Sequence, residues 1–230
     1  MSYDDVLSNP AVTGFRYYMR SVFNYLSLGL LVSGLVAVLV SSSPAALAFF
    51  FGSKLMYWVT LLAPLVLCFG LSWACSNFSM PVARLYYFLF TGSFGVSLST
   101  IFLVYHLGSI VSVFFVAAAM FAACGWFGYF TNRDLSGMGA FFMMVLVGLL
   151  VAMIINVFLA SSAMAFIINV IGVVLFAGLT AYDMQKIKEN YSPGLSGESN
   201  ERNALMGATS LYLDFLNLFL FLLELFGQKD

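Results

Sequence analysis

The stretch SLYLDFLNLFLFLLELF, Ser210–Phe226, decides the fold, because it places an acid, Asp214, in a run that otherwise reads as lipid-soluble. A charged side chain at mid-bilayer costs on the order of 2.5–3.5 kcal/mol on insertion scales, so such residues face a bundle interior, a partner or water. At helical spacing Ser210, Asp214, Asn217, Phe221 and Glu224 fall along one seam. A polar seam on an apolar helix points inward, so this helix is expected in the core of a bundle. Glu224, near the far end, is expected to be solvated.

The rest of the chain agrees. Of its 230 residues 62% are hydrophobic and 8% charged, and the mean hydropathy is +0.99. Soluble domains average about 25% charged residues. Seven apolar runs approach the roughly 20 residues that a bilayer-spanning helix needs: Val22–Val40, Leu55–Trp73, Leu85–Tyr105, Ile110–Phe130, Met138–Leu159, Ala163–Tyr182 and Leu205–Phe226. This predicts an all-α membrane protein, a seven-transmembrane-helix bundle with the last helix central. Residues 1–20 read as a polar N-terminal segment and 21–230 as a single transmembrane domain. Within that domain KENYSPGLSGESNERN, with its core at 189–203, reads as a flexible tether. Asp4 and Asp5 are unlike the basic start of a signal peptide, so the first span is expected to be an uncleaved anchor.

Orientation follows from the basic residues. With the N-terminus cytoplasmic, Arg16, Arg20, Arg84, Arg133, Lys186, Lys188 and Arg202 lie inside, and Lys54 and Lys229 outside. The tether is then cytoplasmic, and the lipid bilayer is the first partner of the chain. A net charge of −1 gives no footprint for nucleic acid.

Small residues mark where helices should pack closely, since lipid gives them little hydrophobic reason to associate. TGSFGVSLST (Thr91–Thr100), AAAMFAACG (Ala117–Gly125) and the Gly148, Ala152, Asn156 stripe are such faces. Pro64 should kink the second span. Cys68, Cys75 and Cys124 read as small buried hydrophobes.

An enzyme is not expected. His106 stands alone at a helix end, no HExxH motif or metal-ligand cluster occurs, and the TGSFG turn at Ser93 has no histidine at its depth. The last span has no lysine to carry a retinal, and Pro64 has no counterpart in the second half, as a repeat-built transporter would require. No cofactor is implied.

The second intramembrane acid is Asp183, in GLTAYDMQKIK (Gly178–Lys188). By spacing alone it is either an interfacial residue beside Lys186 and Lys188 or a partner of Asp214 at similar depth. Two touching carboxyls share a proton and titrate as a pair, one step lying well above the free value.

GLTAYDMQKIK followed by SLYLDFLNLFLFLLELFG resembles the transmembrane Bax-inhibitor-motif family, and RDLSGMG (Arg133–Gly139) resembles its bacterial branch. The resemblance implies a last helix surrounded by the other six and a multi-pass protein of the bacterial inner membrane. It implies a pH-sensitive leak of calcium, with Asp183 and Asp214 as gate, proton sensor and weak, transient calcium ligands. Calcium is then the transported ion, with Ser210 and Asn217 as further oxygen donors along the pathway. Some bacterial members latch the pair with an arginine near the inner end of the second helix. Here CSNFSMPVAR (Cys75–Arg84) has no basic residue before Arg84. Arg84 substitutes, Asn77 makes a neutral bond, or the latch is absent. The alternative role is a regulatory scaffold that binds another membrane protein, such as a membrane-bound protease.

Overall fold

The computed structural model describes residues 10–195 and 197–229, so Asp4 and Asp5 of the polar N-terminal segment lie outside the described residues. The described chain is helical, with one isolated bridge, Tyr105 to Lys229. In order the helices are α1 (Pro10–Ser41), α2 (Pro44–Phe51), α3 (Lys54–Asn77), α4 (Met80–Leu98), α5 (Ile101–Val104), α6 (Leu107–Phe130), α7 (Met138–Leu159), α8 (Ser162–Glu189) and α9 (Gly197–Phe226). Seven segments are long and apolar enough to cross a membrane, α4 and α5 counting as one. The expected all-α, seven-span class is the observed one.

Three spans outrun their apolar runs by seven residues or more. The first helix begins at Pro10, α8 continues to Glu189, and α9 begins at Gly197. Continuing the helix lets each backbone N–H and C=O keep an internal partner past the apolar segment. The stretch between α8 and α9 is therefore 190–196, shorter than the tether the composition suggested. It is also tied down. Asn200 on α9 donates to the carbonyl of Ser192 (3.0 Å) and accepts from its N–H (3.4 Å). Asn203 donates to the carbonyl of Asn190 (3.2 Å).

The last helix is the core helix. In its most apolar window 67% of residues are buried, against 11–33% for the other spans. Ala204, Leu205, Ala208, Leu211, Tyr212 and Leu218 are fully sealed. The chain forms two compact units. One is the chain up to Val104 with Asn190–Thr209, and the other is Tyr105–Glu189 with Ser210–Asp230.

In the first unit α4 packs against α1 and α3 through the small polar face predicted for it. A Cβ on Gly95 would lie 2.6 Å from the carbonyl oxygen of Ser33, so only glycine permits this approach of α1 and α4. Ser33 donates to the carbonyl of Thr91 (2.7 Å), and Tyr87 to that of Tyr25 (2.8 Å). Pro64 sits buried within α3, and lacking an N–H it leaves the carbonyl of Thr60 without its helical partner. Ser97 on α4 supplies the missing donor at 2.9 Å. A polar residue in an apolar helix here repairs a backbone defect in its neighbour.

In the second unit α8 packs on α6 and α7. A Cβ on Gly128 would run into the carbonyl oxygen of Ala181, which fixes how closely α6 and α8 meet. The C-terminal part of α9 adds aromatic contacts: Phe215 with Phe114 (5.4 Å) and Phe121 (5.5 Å), and Phe221 stacked on Phe176 (5.8 Å) over Gly172. The stripe on α7 departs from expectation. Gly148 is exposed and a Cβ on it would meet nothing within 4 Å, because α7 is the least buried span. Asn156 instead accepts the N–H of Ser161 (3.1 Å) where the chain turns through Ala160 at φ 48°.

The chain end folds back on this unit. Gln228 accepts from the N–H of His106 (3.0 Å) and donates its own N–H to the Ser109 hydroxyl (2.9 Å). Glu224, exposed as expected, takes the Tyr105 hydroxyl and the Lys229 ammonium, the latter at 2.8 Å. Glu224 holds the Lys229 ammonium above its ordinary pKa, and burial followed by the bond to Glu224 does the same for the Tyr105 phenol.

Two predictions follow from these contacts. Ser97→Ala should cost about 1–3 kcal/mol by stranding the Thr60 carbonyl. Most of that cost should vanish in a Pro64→Ala background, where the restored N–H takes over, as read from a double-mutant cycle of thermal unfolding in detergent. At the chain end both donors have raised pKa values, so their contribution is complete at neutral pH and is lost only as pH rises through those values in the alkaline range. The Lys229–Glu224 pair is about half exposed on each side, at 52% and 46%. Lys229→Ala should therefore cost less than about 1 kcal/mol, and less still in high salt.

Candidate functional site

Asp183 lies near the C-terminal end of α8 and Asp214 in the middle of α9, and their carboxyl groups come within side-chain hydrogen-bonding reach of each other. Asp214 is 4% exposed, held between Leu211, Phe215 and Leu218 of its own helix. Asp183 is half-buried, flanked by Thr180, Met184 and Ile187, which are sealed. The Oδ2 atom of Asp214 is buried with no hydrogen-bond partner among the described residues.

Among the described residues no cation neutralises the pair. The electrostatic partner of each carboxyl is the other one. Lys186 and Lys188, the alternative partners of Asp183, are engaged elsewhere. Lys186 donates to Ser136 (3.0 Å) and Glu189 (3.2 Å) and stands over the Tyr182 ring. Lys188 donates to the carbonyl of Tyr129 (3.0 Å) and lies over that residue's ring. Two like charges in contact, out of water and without a counter-ion, are unfavourable.

The remaining candidates are placed as follows. Asn217 donates to the carbonyl of Leu213 (2.8 Å) and Asn77 to that of Trp73 (2.9 Å), so each amide closes on its own helix. Ser210 is half-buried on the Asp214 seam. Arg84 pairs with Glu201 through Nε (3.0 Å) and Nη2, and the same Glu201 oxygen accepts the Tyr25 hydroxyl at 2.7 Å. The arginine considered as a latch is thus occupied by Glu201.

Sequence reasoning missed three residues. Glu201 and Arg202 fell in the stretch read as tether. Arg202 reaches the carbonyls of Cys75 and Phe78 (2.7 Å) and caps the end of α3. Their partners stand 117 and 127 residues away in sequence, so no local pattern marks them. The third is Gln185, 6% exposed. It accepts the N–H of Leu135 and donates to the carbonyl of Arg133, both at 2.8 Å. These bonds pin the RDLSGMG loop to α8, two residues beyond Asp183. Asp134 closes the loop by accepting the N–H of Ser136 (2.8 Å), and that bond holds its carboxyl below the usual range.

Among the described residues no three His, Cys, Asp or Glu side chains gather. The pair is a two-carboxyl site rather than a closed metal cage.

Seven apolar spans, the last of them a buried helix that carries one half of an acid pair, define a polytopic membrane protein. The chain belongs to the Bax inhibitor family: the family model described as "Inhibitor of apoptosis-promoting Bax1" matches residues 15–230. It is similar to the inner membrane protein YbhL of Escherichia coli K12, 38% identical over 94% of this chain and 93% of the relative. A protein of Caulobacter vibrioides is 41% identical over 93% and 89%, and one of Rickettsia prowazekii 38% over 94% and 91%.

Gln185→Leu should destabilise the fold by about 1–3 kcal/mol, because it leaves the buried Leu135 N–H without an acceptor. Faster hydrogen exchange confined to 133–139 would show that the loss lies at this loop.

Proposed function

We propose that this protein is a passive, pH-sensitive leak for calcium in a bacterial inner membrane, with Asp183 and Asp214 as its gate. The observation that carries this reading is the contact between the two carboxyls with no cation beside either among the described residues. A proton shared between them ties α8 to α9 without net repulsion. When it leaves, two like charges face each other at close range, and either the helices separate or a cation takes the proton's place. Oxygen donors suit a hard divalent cation. A site of only two carboxylates, helped by Ser210 on the same seam, binds weakly enough to release what it binds, as flux requires. The bias of Lys and Arg supports placing this end in the cytoplasm, and the likeness to YbhL, an inner membrane protein, supports the inner membrane. Nothing in the reading requires catalysis.

The test is calcium entry into proteoliposomes loaded with a calcium dye, from about pH 6 to pH 8 across the range expected for a coupled carboxyl pair. The native protein should give a flux that changes with pH, by up to about tenfold per unit for a single shared proton. Asp214→Asn and Asp183→Asn should each give a flux that is flat with pH. Folded protein that passes no calcium above empty liposomes at any pH would sink the leak. A partner-binding scaffold would then be the reading to pursue, through crosslinking to neighbouring membrane proteins.

A further inference from the structure

The same unit holds a second feature. Between α6, α7 and α8 runs a groove of about 380 Å³, lined by Ala123, Cys124, Leu135, Met138, Phe142 and Gly178 among others. Its volume is in the range of about 300–1,000 Å³ typical of ligand sites. The groove is built by small side chains. Alanines and glycine line α6 and α8, and a Cβ on Gly178 would come 2.8 Å from the Phe142 ring that closes the third side. Ala123 and Phe127, on its α6 wall, are exposed. In a membrane-spanning segment exposed apolar surface faces acyl chains.

One end of the groove is polar. Phe142 packs on Tyr182 (6.2 Å), and the Lys186 ammonium stands 5.9 Å from the centre of the Tyr182 ring and 3.0 Å from the hydroxyl of Ser136. Ser136 follows Leu135, a lining residue, and Arg133 precedes it by two residues with its side chain exposed. From Ala177, deep on the α8 wall, to Lys186 is about 14 Å at roughly 1.5 Å per helical residue, enough for much of an acyl chain. The charged residues of the loop and helix end here are Arg133, Lys186 and Lys188 against Asp134 and Glu189, one positive charge in excess. Lys188 is turned onto Tyr129, and Lys186 pairs with Glu189 and also draws on Asp134, so Arg133 is the cation here with no acid partner among the described residues.

We infer that this groove binds an anionic glycerophospholipid, with an acyl chain along the small-residue trough and the phosphate on Arg133 and Lys186. Basic collars on clefts between membrane helices favour anionic headgroups in this way. The inference is independent of the calcium reading, because lipid retention is its readout.

The experiment is native mass spectrometry of the full chain titrated with phosphatidylglycerol or phosphatidylcholine of matched chains. The native protein should retain phosphatidylglycerol preferentially, by about tenfold. R133A/K186A should lose that preference and keep the phosphatidylcholine level. Ala123→Phe, which fills an exposed part of the trough, should lower retention of both lipids. Equal retention of the two lipids by the native protein, or unchanged binding by both variants, would overturn the inference. So would a lipid-free dimer that Ala123→Phe dissociates, since the groove would then hold a second copy of the chain. Circular dichroism of each variant separates loss of lipid from loss of fold.

Discussion

The contact between Asp183 and Asp214 is the constraint on which the rest of this molecule turns. An acid in an apolar helix is tolerable only where protein, and not lipid, surrounds it. That requirement makes α9 the most buried span. Burial in turn demands that its neighbours approach closely, and in a bilayer close approach comes from small side chains rather than from hydrophobic driving force. Gly128 against the Ala181 carbonyl and Gly172 beneath Phe221 meet that demand in the unit that holds the acid pair. The small-residue faces of the chain are thus consequences of carrying a carboxyl in the core.

The polar residues divide into two kinds. Most serve the backbone: Ser97 answers the proline gap in α3, Asn217 and Thr180 return to carbonyls one turn back, and Gln185 holds a loop. These are local debts of helices in a medium without water. The acid pair is different, because nothing in the backbone requires it. Lys186 and Lys188 lie within five residues of Asp183 yet bond Ser136, Glu189 and Tyr129. A structural ion pair was available by sequence distance and is not made. That is the physical ground for reading the couple as functional.

Much of this was legible in the sequence. Length and hydropathy decide the seven spans, and the spacing of Ser210, Asp214 and Asn217 marks α9 as a core helix. What could not be read was where polar helix ends stop. The composition of 189–203 suggests a loop, but the helix there is held by side-chain bonds from Asn200 to Ser192, eight residues back, and from Arg202 to the end of α3, more than 120 residues back. Such bonds have no local signature. The same limit hid Glu201 as the partner of Arg84, with 117 residues between them. The stripe on α7 misled for the opposite reason. A periodic run of small residues shows that a close approach is possible, not that a neighbour takes it up, and Gly148 faces open space.

That open face bears on how a lipid-embedded protein separates solvent from ligand. On α7 large apolar side chains such as Phe158 (83% exposed) and Val157 (78%) project outward, and acyl chains slide past a surface of this kind without a fixed position. The trough on the neighbouring face of the same unit inverts that relief, with small residues on two helices and the rings of Phe127 and Phe142 at its sides. A chain seated there exchanges contacts with other lipid for contacts with three helices at once, so dispersion is roughly conserved and shape alone supplies little affinity. Discrimination must then come from the one end where the dielectric rises, at Arg133, Ser136 and Lys186. A convex apolar face is solvated by lipid, whereas a concave one with a charged rim can select among lipids. Both kinds of surface occur within a single unit of this protein.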